Sequence, residues 1–527
     1  MAKPGTRTVP HRGMPRKLLS QARAAAAVVA GRAAGASARR LRLGAGTSLP
    51  GLVASQLDPD IVAHLGAQLR HGSVLVTGTN GKTTTSGLVA FILRDAGLRV
   101  WRNREGANLL RGVTAALVIR AEPNGRLRRD GNAAAVFEVD EAAFPRVLTE
   151  LRPRTVVITN LFRDQLDRYG EVDTVAERWR DALSCAPATT TLALNADDPA
   201  VAALADVATG PVVNFGVEDV AGALGGREAS GEVIDTRTCP RCHTPLAYTQ
   251  RFYSHIGHWA CPGCGFARPA PAIRARAVTS VGLDATHFHL ETPAGETDVT
   301  LALPGLYNVY NALASAAAAH IMGAGLDATR TGLRRFTPAF GRAERIQVEG
   351  RDVRLLLAKN PTGFNEVLRA LSAHDPSGGE PTRLHLFLLL NDNAADGEDV
   401  SWIWDADFER VAALARTIVV GGTRAADLAV RLKYAGVPMS LAHAPTSGAA
   451  DARDTDRDLA AVAVPAVEGA VPTIIESNVT HALDAALANV PTGGTLYVVP
   501  TYTAMLAVRS ELERRGFAAR YWETVDA

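Results

Sequence analysis

Short apolar runs alternate along the chain with stretches of helical spacing. The run Val74-Leu75-Val76 stops at Thr77, then Gly78-Thr79-Asn80-Gly81-Lys82-Thr83-Thr84 leads into an amphipathic segment. Residues 73–93, "SVLVTGTNGKTTTSGLVAFIL", therefore read as strand, glycine loop and helix. Further strands are predicted at 133–140 ("AAAVFEVD"), 155–159 ("TVVIT") and 190–194, with helices between them. That rhythm predicts a mostly parallel, doubly wound α/β sheet. A Cys-rich insert at 225–275 interrupts it, and "LALPGLYNVYNALASAAAAHIMGAG" resumes it as a loop and an Ala-rich helix. After about residue 345 a second α/β unit follows, with strands near 353–358, 383–390 ("RLHLFLLL"), 417–421 and 495–499. The stretch 441–470, rich in Ala, Asp, Pro and Thr, reads as a long loop or irregular insert.

Composition narrows the picture. A chain of 527 residues is too long for one core, so two or three domains are expected. With 47% hydrophobic and 21% charged residues it is a globular protein, and a net charge of +2 gives no case for a nucleic-acid partner. The basic excess gathers between His11 and Arg42, where Arg23 and Arg32 interrupt the apolar stretch a signal peptide would need. This segment is read as a disordered tip and a basic helix, with transient contact to anionic lipid as the second reading. No run is long enough to span a membrane, and the absence of export signals predicts a cytoplasmic location, with the inner face of the cell membrane as a variant.

The glycine loop is built for a phosphate. N–H groups at a helix N-terminus are unpaired and partially positive, and so bind anions. Gly78 and Gly81 permit close backbone approach, Lys82 can reach terminal phosphates, and the Thr83 hydroxyl is the expected magnesium ligand. One position departs from the general P-loop pattern, because Val76 stands where its first glycine would be. A structural Gly-rich turn would account for the glycines but not for Lys-Thr-Thr after them. The chain is expected to bind a nucleoside triphosphate.

Four of the five cysteines form two CxxC knuckles, Cys239-Pro-Arg-Cys242 and Cys261-Pro-Gly-Cys264, eighteen residues apart. This is the spacing of a structural zinc ribbon, with no ligand position left for a catalytic water. A disulfide pairing is disfavoured in a reducing cytoplasm. His243, His255 and His258 are assigned surface or hydrogen-bonding roles, and Cys185 is read as a buried small hydrophobe.

The order of several further motifs resembles the Mur ligases. They are GTNGKTT, "EVDEAAF" at 138–144, "TNLFRDQLDRYGE" at 159–171, "NADDP" at 195–199, "PGLYNVYNALAS" at 304–315 and "GRAER" at 341–345. "KNPTGFNEVL" at 359–368, "NDNAADGEDVSWIWDADFE" at 391–409 and the Cys-rich insert are similar to the MurT branch, the ligase-like subunits of lipid II isoglutaminyl synthases. The resemblance implies a basic segment at 1–45, an ATP-binding domain at 46–340 carrying the zinc insert, and a Rossmann-like C-terminal domain at 345–527. It also implies ATP-dependent amidation of the D-glutamate α-carboxylate of lipid II through an acyl phosphate. The ammonia would come from a separate GatD-like glutaminase with a Cys–His pair, docked on the C-terminal domain. A stand-alone Mur-type or folylpolyglutamate synthase-like amino-acid ligase is the rival reading.

Residue roles follow from the same resemblance. Gly78, Thr79, Asn80, Gly81, Lys82, Thr83 and Thr84 would hold ATP, and Thr83 with Glu138 the magnesium. Asn308 is expected near the adenine or ribose, or as a helix cap. Arg342 is expected on the nucleotide or in an interdomain ion pair. Asp396 is expected to orient the partner's histidine, with Asp399 in reserve and Asp392 in the same loop. The chain departs from ordinary Mur ligases at Gln165, where they carry histidine, and at Leu356-Leu357-Ala358-Lys359-Asn360-Pro361, where their acidic residue is lost. No lysine downstream of 167 matches their carbamylated one. The ordinary amino-acid-adding site is therefore in question, which suits ammonia as the nucleophile.

Overall fold

Alternate residues of each apolar run enter opposite cores, as a strand's period of two requires. Val74, Val76, Ala134 and Val136 face one layer of helices, while Leu75, Ala133, Ala135 and Phe137 face the other. The computed structural model describes residues 16–40, 48–103, 106–128, 132–164, 172–220, 234–281, 284–336, 342–372, 383–441 and 470–518.

The strands of the first sheet are β1 (Ser73–Thr77), β2 (Arg99–Arg102), β3 (Ala133–Glu138), β4 (Thr155–Ile158), β5 (Thr191–Asn195) and β6 (Val212–Val217). A hairpin of β7 (Ala247–Tyr253) and β8 (Ile256–Ala260) stands apart, and β9 (Ile273–Val281), β10 (Ala285–Thr292) and β11 (Gly295–Leu301) complete the nine-stranded sheet. Its order is β11-β10-β9-β6-β5-β4-β1-β3-β2, parallel from β2 to β9 and antiparallel beyond. Strand β1 lies between β3 and β4, so the chain leaves it in opposite directions. Such a switch point opens a crevice at the carboxyl ends of the strands, where α/β proteins bind ligands.

The second sheet holds β12 (Arg342–Val348), β13 (Arg351–Leu356), β14 (Leu384–Leu389), β15 (Ala415–Gly421), β16 (Met439–Leu441), β17 (Val471–Glu476) and β18 (Thr495–Pro500). The order is β12-β13-β18-β14-β15-β17-β16, with only the β12–β13 pair antiparallel. Leu386 and Leu388 pack under the helix Pro361–Ser372, and Phe387 and Leu389 under the helices Val479–Ala488 and Tyr502–Arg514.

The basic N-terminal helix, Arg16–Arg40, is joined to the first domain. Ala24, Ala27 and Val28 lie in the same core as Val113 and Leu117 of the helix Leu110–Arg120, and Arg32 donates to Ala121 O at 2.7 Å. Cys185 departs from the sequence expectation: it is exposed, one residue past the helix Val172–Ser184, where the chain turns outward. The 1–15 tip, most of the 441–470 stretch, Gln165 and Asp167 lie outside the described residues.

Candidate active site and metal centre

The loop after β1 takes the shape its glycines allow. Gly78 and Gly81 have φ of +132° and +84°. A Cβ on Gly78 would lie 2.1 Å from Thr159 Oγ1, and one on Gly81 1.9 Å from Asn311 Oδ1, so no side chain fits at either place. The loop is stitched to the segment after β4: Asn80 N donates to Asn160 Oδ1 at 2.8 Å. The Thr79 hydroxyl accepts from Phe162 N at 2.9 Å and donates to Phe162 O at 3.1 Å. Gly81 precedes the helix Lys82–Asp95, and no side chain caps that helix. Its first N–H groups therefore face the crevice as anion donors. Thr83 and Thr84 lie buried in its first turn.

Lys82 is buried among oxygen atoms. Its ammonium donates to Gly78 O at 2.6 Å, to Thr79 O at 3.1 Å and to both carboxylate oxygens of Glu141 at 3.0 Å. Burial pushes the Glu141 carboxyl above its ordinary range. Lys82 and then Lys359 oppose the shift, while Asp140 and Asp164 add to it. Lys359 comes from the loop after β13 and forms an ion pair with Asp164, which follows β4. Next to it, Asn360 Nδ2 donates to Asn80 Oδ1 at 3.0 Å. The C-terminal domain thus closes directly on the glycine loop.

Glu138 ends β3 beside β1, paired in register with Val76, and no described residue binds its carboxylate. Asn103 instead clamps its backbone, accepting from Glu138 N at 3.0 Å and donating to Glu138 O at 2.8 Å. Asn308 is buried at the start of the helix Leu306–Met322. Its amide donates to Pro304 O at 2.7 Å and its oxygen accepts from Asn311 at 3.1 Å, which steadies Asn311 against Gly81. Arg342 opens β12 opposite Leu356.

Glu141 and Lys359 are the residues that motif reading passed over. Glu141 lies within "EVDEAAF", and Lys359 lies in the segment where ordinary Mur ligases carry their acidic residue. Lysine usage held a signal: the chain has five lysines against 51 arginines, and two of the five meet at this site.

In the ribbon, the sulfurs of Cys239, Cys242, Cys261 and Cys264 all lie within 4.8 Å of one another. Two of the pairs are 3.6 and 3.4 Å apart. Four sulfurs about 2.3 Å from one ion would be separated by about 3.8 Å, so the set fits a tetrahedral zinc after a small expansion. Both knuckles turn alike, through left-handed His243 and Gly265, whose N–H groups donate to Cys239 O and Cys261 O. A hydrogen bond with Thr244 brings the Cys242 thiol down to about 6, while, against the Phe266 N–H, burial and the neighbouring sulfurs push the Cys264 thiol up to about 12. The three histidines do not join the cluster. His243 is exposed, His258 donates to Val217 O at 2.8 Å, and His255 is buried 3.2 Å from Asp198.

The three aspartates of the loop after β14 differ in their surroundings. Asp396 is 4% exposed, and Thr503 at the start of the last helix donates to it from both backbone N and hydroxyl. Asp392 accepts from the Thr423 hydroxyl at 2.8 Å. Asp399 is exposed, its Oδ1 accepting from Ser401 N at 2.8 Å and its Oδ2 from Ser401 Oγ at 2.9 Å.

Known proteins resemble this chain in sequence and fold. The Mur ligase middle domain model matches residues 76–239, and the MurT ligase C-terminal model matches residues 357–505. The chain is 35% identical over 434 residues to the Staphylococcus aureus protein "lipid II isoglutaminyl synthase (glutamine-hydrolyzing) subunit MurT", covering 82% of this chain and 93% of that one. It is 33% identical over 475 residues to the Streptococcus pneumoniae protein of the same name, covering 90% and 94%. A pseudomurein peptide ligase type C from Methanothermus fervidus shares the fold, with a TM-score of 0.57 at 23% identity over 84% of this chain and 78% of that one. The P-loop sheet and the C-terminal sheet closing on it define the Mur ligase class, whose members use ATP. Within that class, the chain belongs to the MurT family.

Proposed function

We propose that this chain is the synthase subunit of a glutamine-hydrolysing lipid II isoglutaminyl synthase. It would convert the α-carboxylate of D-glutamate in lipid II to the amide during peptidoglycan biosynthesis. One observation carries the reading: Lys82 and Lys359, from different domains, converge on the Glu141–Asp164 carboxylates beside an uncapped helix start.

Attack of a substrate carboxylate on the γ-phosphorus of ATP breaks the bond to the β–γ bridging oxygen. ADP leaves and an acyl phosphate forms. Both reactants are anionic, so the residues must supply positive charge and fixed N–H donors. Residues 78–84 would cradle the phosphates, and Lys82 would leave Glu141 for the transferring group. Thr83 and Glu138 would hold a magnesium ion, which supplies neutralisation of phosphate charge. The carboxylate of Glu138, at the strand end and bound by no described residue, suits that role. Lys359 would reach the acyl phosphate from the opposite wall. Ammonia then attacks the acyl carbon, inorganic phosphate departs, and the nitrogen loses a proton. Asn308 would act through Asn311 and Gly81, and Arg342 at the domain junction.

Ammonia is protonated at neutral pH, so a glutaminase partner must release it nearby. We place that partner on the C-terminal domain, 345–527. There Trp404 and Tyr434 are 53% and 70% exposed with rings 5.8 Å apart, and Val430 is exposed beside them. Of the three aspartates in the loop before this patch, we assign Asp399 to orient the partner's histidine, because its carboxylate is exposed while it accepts from Ser401, whereas Asp396, the first choice on sequence, is 4% exposed beside Thr503. Among the described residues no helix is long and apolar enough to cross a membrane. The reaction is assigned to the cytoplasm, at the membrane face where lipid II lies.

The test is amidation of lipid II by the purified chain with ATP, with and without a GatD-like glutaminase. Glutamine-dependent amide formation with the partner, and ammonium-dependent formation without it, are expected. Transfer of an amino acid in place of ammonia would favour the stand-alone ligase. Metal analysis of the same sample should return one zinc per chain.

A further inference from the structure

Hairpin turns ordinarily lie at the surface, because their backbone polar groups need water. The turn joining β7 to β8 is buried: none of Phe252, Tyr253, Ser254, His255 and Ile256 is more than 5% exposed. Ser254 adopts φ +46°, the left-handed conformation that the first residue of a two-residue hairpin loop takes. The zinc-ribbon insert therefore drives its tip into the body of the protein.

The tip meets the first domain through an aromatic contact. The Phe162 ring lies 4.8 Å from the His255 ring and 6.1 Å from Tyr253, centroid to centroid. Phe162 is the residue whose N and O both bond the Thr79 hydroxyl of the glycine loop. Asp198, beside His255, also accepts from Leu161 N at 2.9 Å and so holds the same segment. On its other side the tip meets the C-terminal domain. Arg369, buried on the helix Pro361–Ser372, donates to Phe252 O at 2.8 Å and pairs with Glu366 at 3.0 Å. That helix begins just after Lys359 and Asn360, the two residues that engage Asp164 and Asn80. Two routes thus run from the tip to adjacent loop residues, one through Phe162 to Thr79 and one through the helix to Asn80.

We infer that the ribbon's hairpin tip is an interdomain strut, with Arg369 as its positioning residue, which fixes where Lys359 and Asn360 meet the glycine loop. The Cys cluster lies at the far end of the same hairpin, and Trp259 of β8 donates to Ala196 O at 3.1 Å in the loop that also carries Asp198. Metal in the cluster would keep the two strands paired, and the tip would stay seated. This goes beyond the amidation reading, since it concerns domain placement whatever the acceptor is.

The experiment compares the zinc-loaded full chain with Arg369→Met and Arg369→Lys by hydrogen exchange, read at 78–84, 160–164, 252–256 and 361–372. The wild type is also read after zinc chelation, and melting temperature, kcat and KM for ATP are measured in parallel. Arg369→Met should raise exchange at 252–256 and 160–164 as well as in the helix. It should lower kcat at least tenfold and leave KM for ATP within about twofold. Arg369→Lys, which keeps a donor, should recover part of both effects and carries the test if the Met variant does not fold. Zinc chelation should raise exchange in the same interface segments. The inference is overturned if exchange changes only within 361–372, or if chelation loosens the ribbon while 160–164 and 361–372 stay protected. Because exchange needs no substrate, these outcomes are separate from failure of the amidation reading.

Discussion

The loop after β1 and the loop after β14 occupy the same topological place, the carboxyl end of an inner parallel strand, and they have opposite polarity. The first is made of donors: left-handed glycines, the N–H groups of an uncapped helix start and the Lys82 ammonium. The second presents acceptors, with Asp392, Asp396 and Asp399 fixed by Thr423, Thr503 and Ser401. A donor-lined loop recognises phosphate, whereas an acceptor-lined loop suits an N–H group such as a partner's imidazole. The fold supplies the crevice in both domains, and the loop residues decide what enters it.

The harshest test of this contrast empties the donor loop. Lys82→Ala should lower ATP-dependent amidation on the order of 10³-fold, whether nitrogen comes from glutamine or ammonium. It also strands Glu141 as a buried carboxylate, at a cost of about 3 kcal/mol. Adding Glu141→Gln should restore the melting temperature without restoring activity. Activity near wild type in Lys82→Ala would remove the phosphate role.

Breaking the acceptor loop should give a selective defect. Asp399→Asn is expected to reduce glutamine-driven amidation about 10²–10⁴-fold while sparing the reaction driven by ammonium at high pH. Equal loss on both routes would move Asp399 into the ATP or acceptor site. An intermediate effect is expected where the domains meet. Lys359→Ala should lower kcat about 10–100-fold on both routes with KM for ATP little changed, because its charge acts on the transferred group rather than on bound nucleotide. A rise in KM alone would make Lys359 a nucleotide contact.

What was legible in the sequence follows from how local each constraint is. The glycine loop and the knuckles were readable because φ restrictions and ligand spacing are written in consecutive residues. Eight strands, β1, β3, β4, β5, β13, β14, β15 and β18, were readable from apolar runs to within a few residues, whereas the antiparallel extension β9, β10 and β11 was not. The site's other half was not, since Lys359 meets Asp164 across 195 residues and Arg369 meets Phe252 across 117. Cys185 was misplaced because one residue at a helix end decides between core and solvent. The burial of Asp396 was not legible either, because it depends on Thr503, 107 residues downstream.

The smallest effect, a pH slope, probes that last distinction. Burial raises the Asp396 carboxyl above its ordinary value, and the hydrogen bonds from Thr503 offset this only in part. A carboxyl raised by folding binds protons more readily in the native chain than in the unfolded one. Its contribution to stability is therefore full below the unfolded value and is lost as pH rises through the folded value. Asn resembles the protonated carboxyl and does not titrate. Relative to wild type, Asp396→Asn should therefore be least favourable at low pH and improve as pH approaches neutrality. Glutamine-driven amidation at neutral pH should fall far less than in Asp399→Asn. Urea unfolding of both proteins across this range measures the slope. A difference that does not vary with pH would mean that Asp396 keeps its ordinary value, as a carboxylate open to water would. The partner's histidine could then reach Asp396 as readily as Asp399, and the division of labour within the acceptor loop would fall.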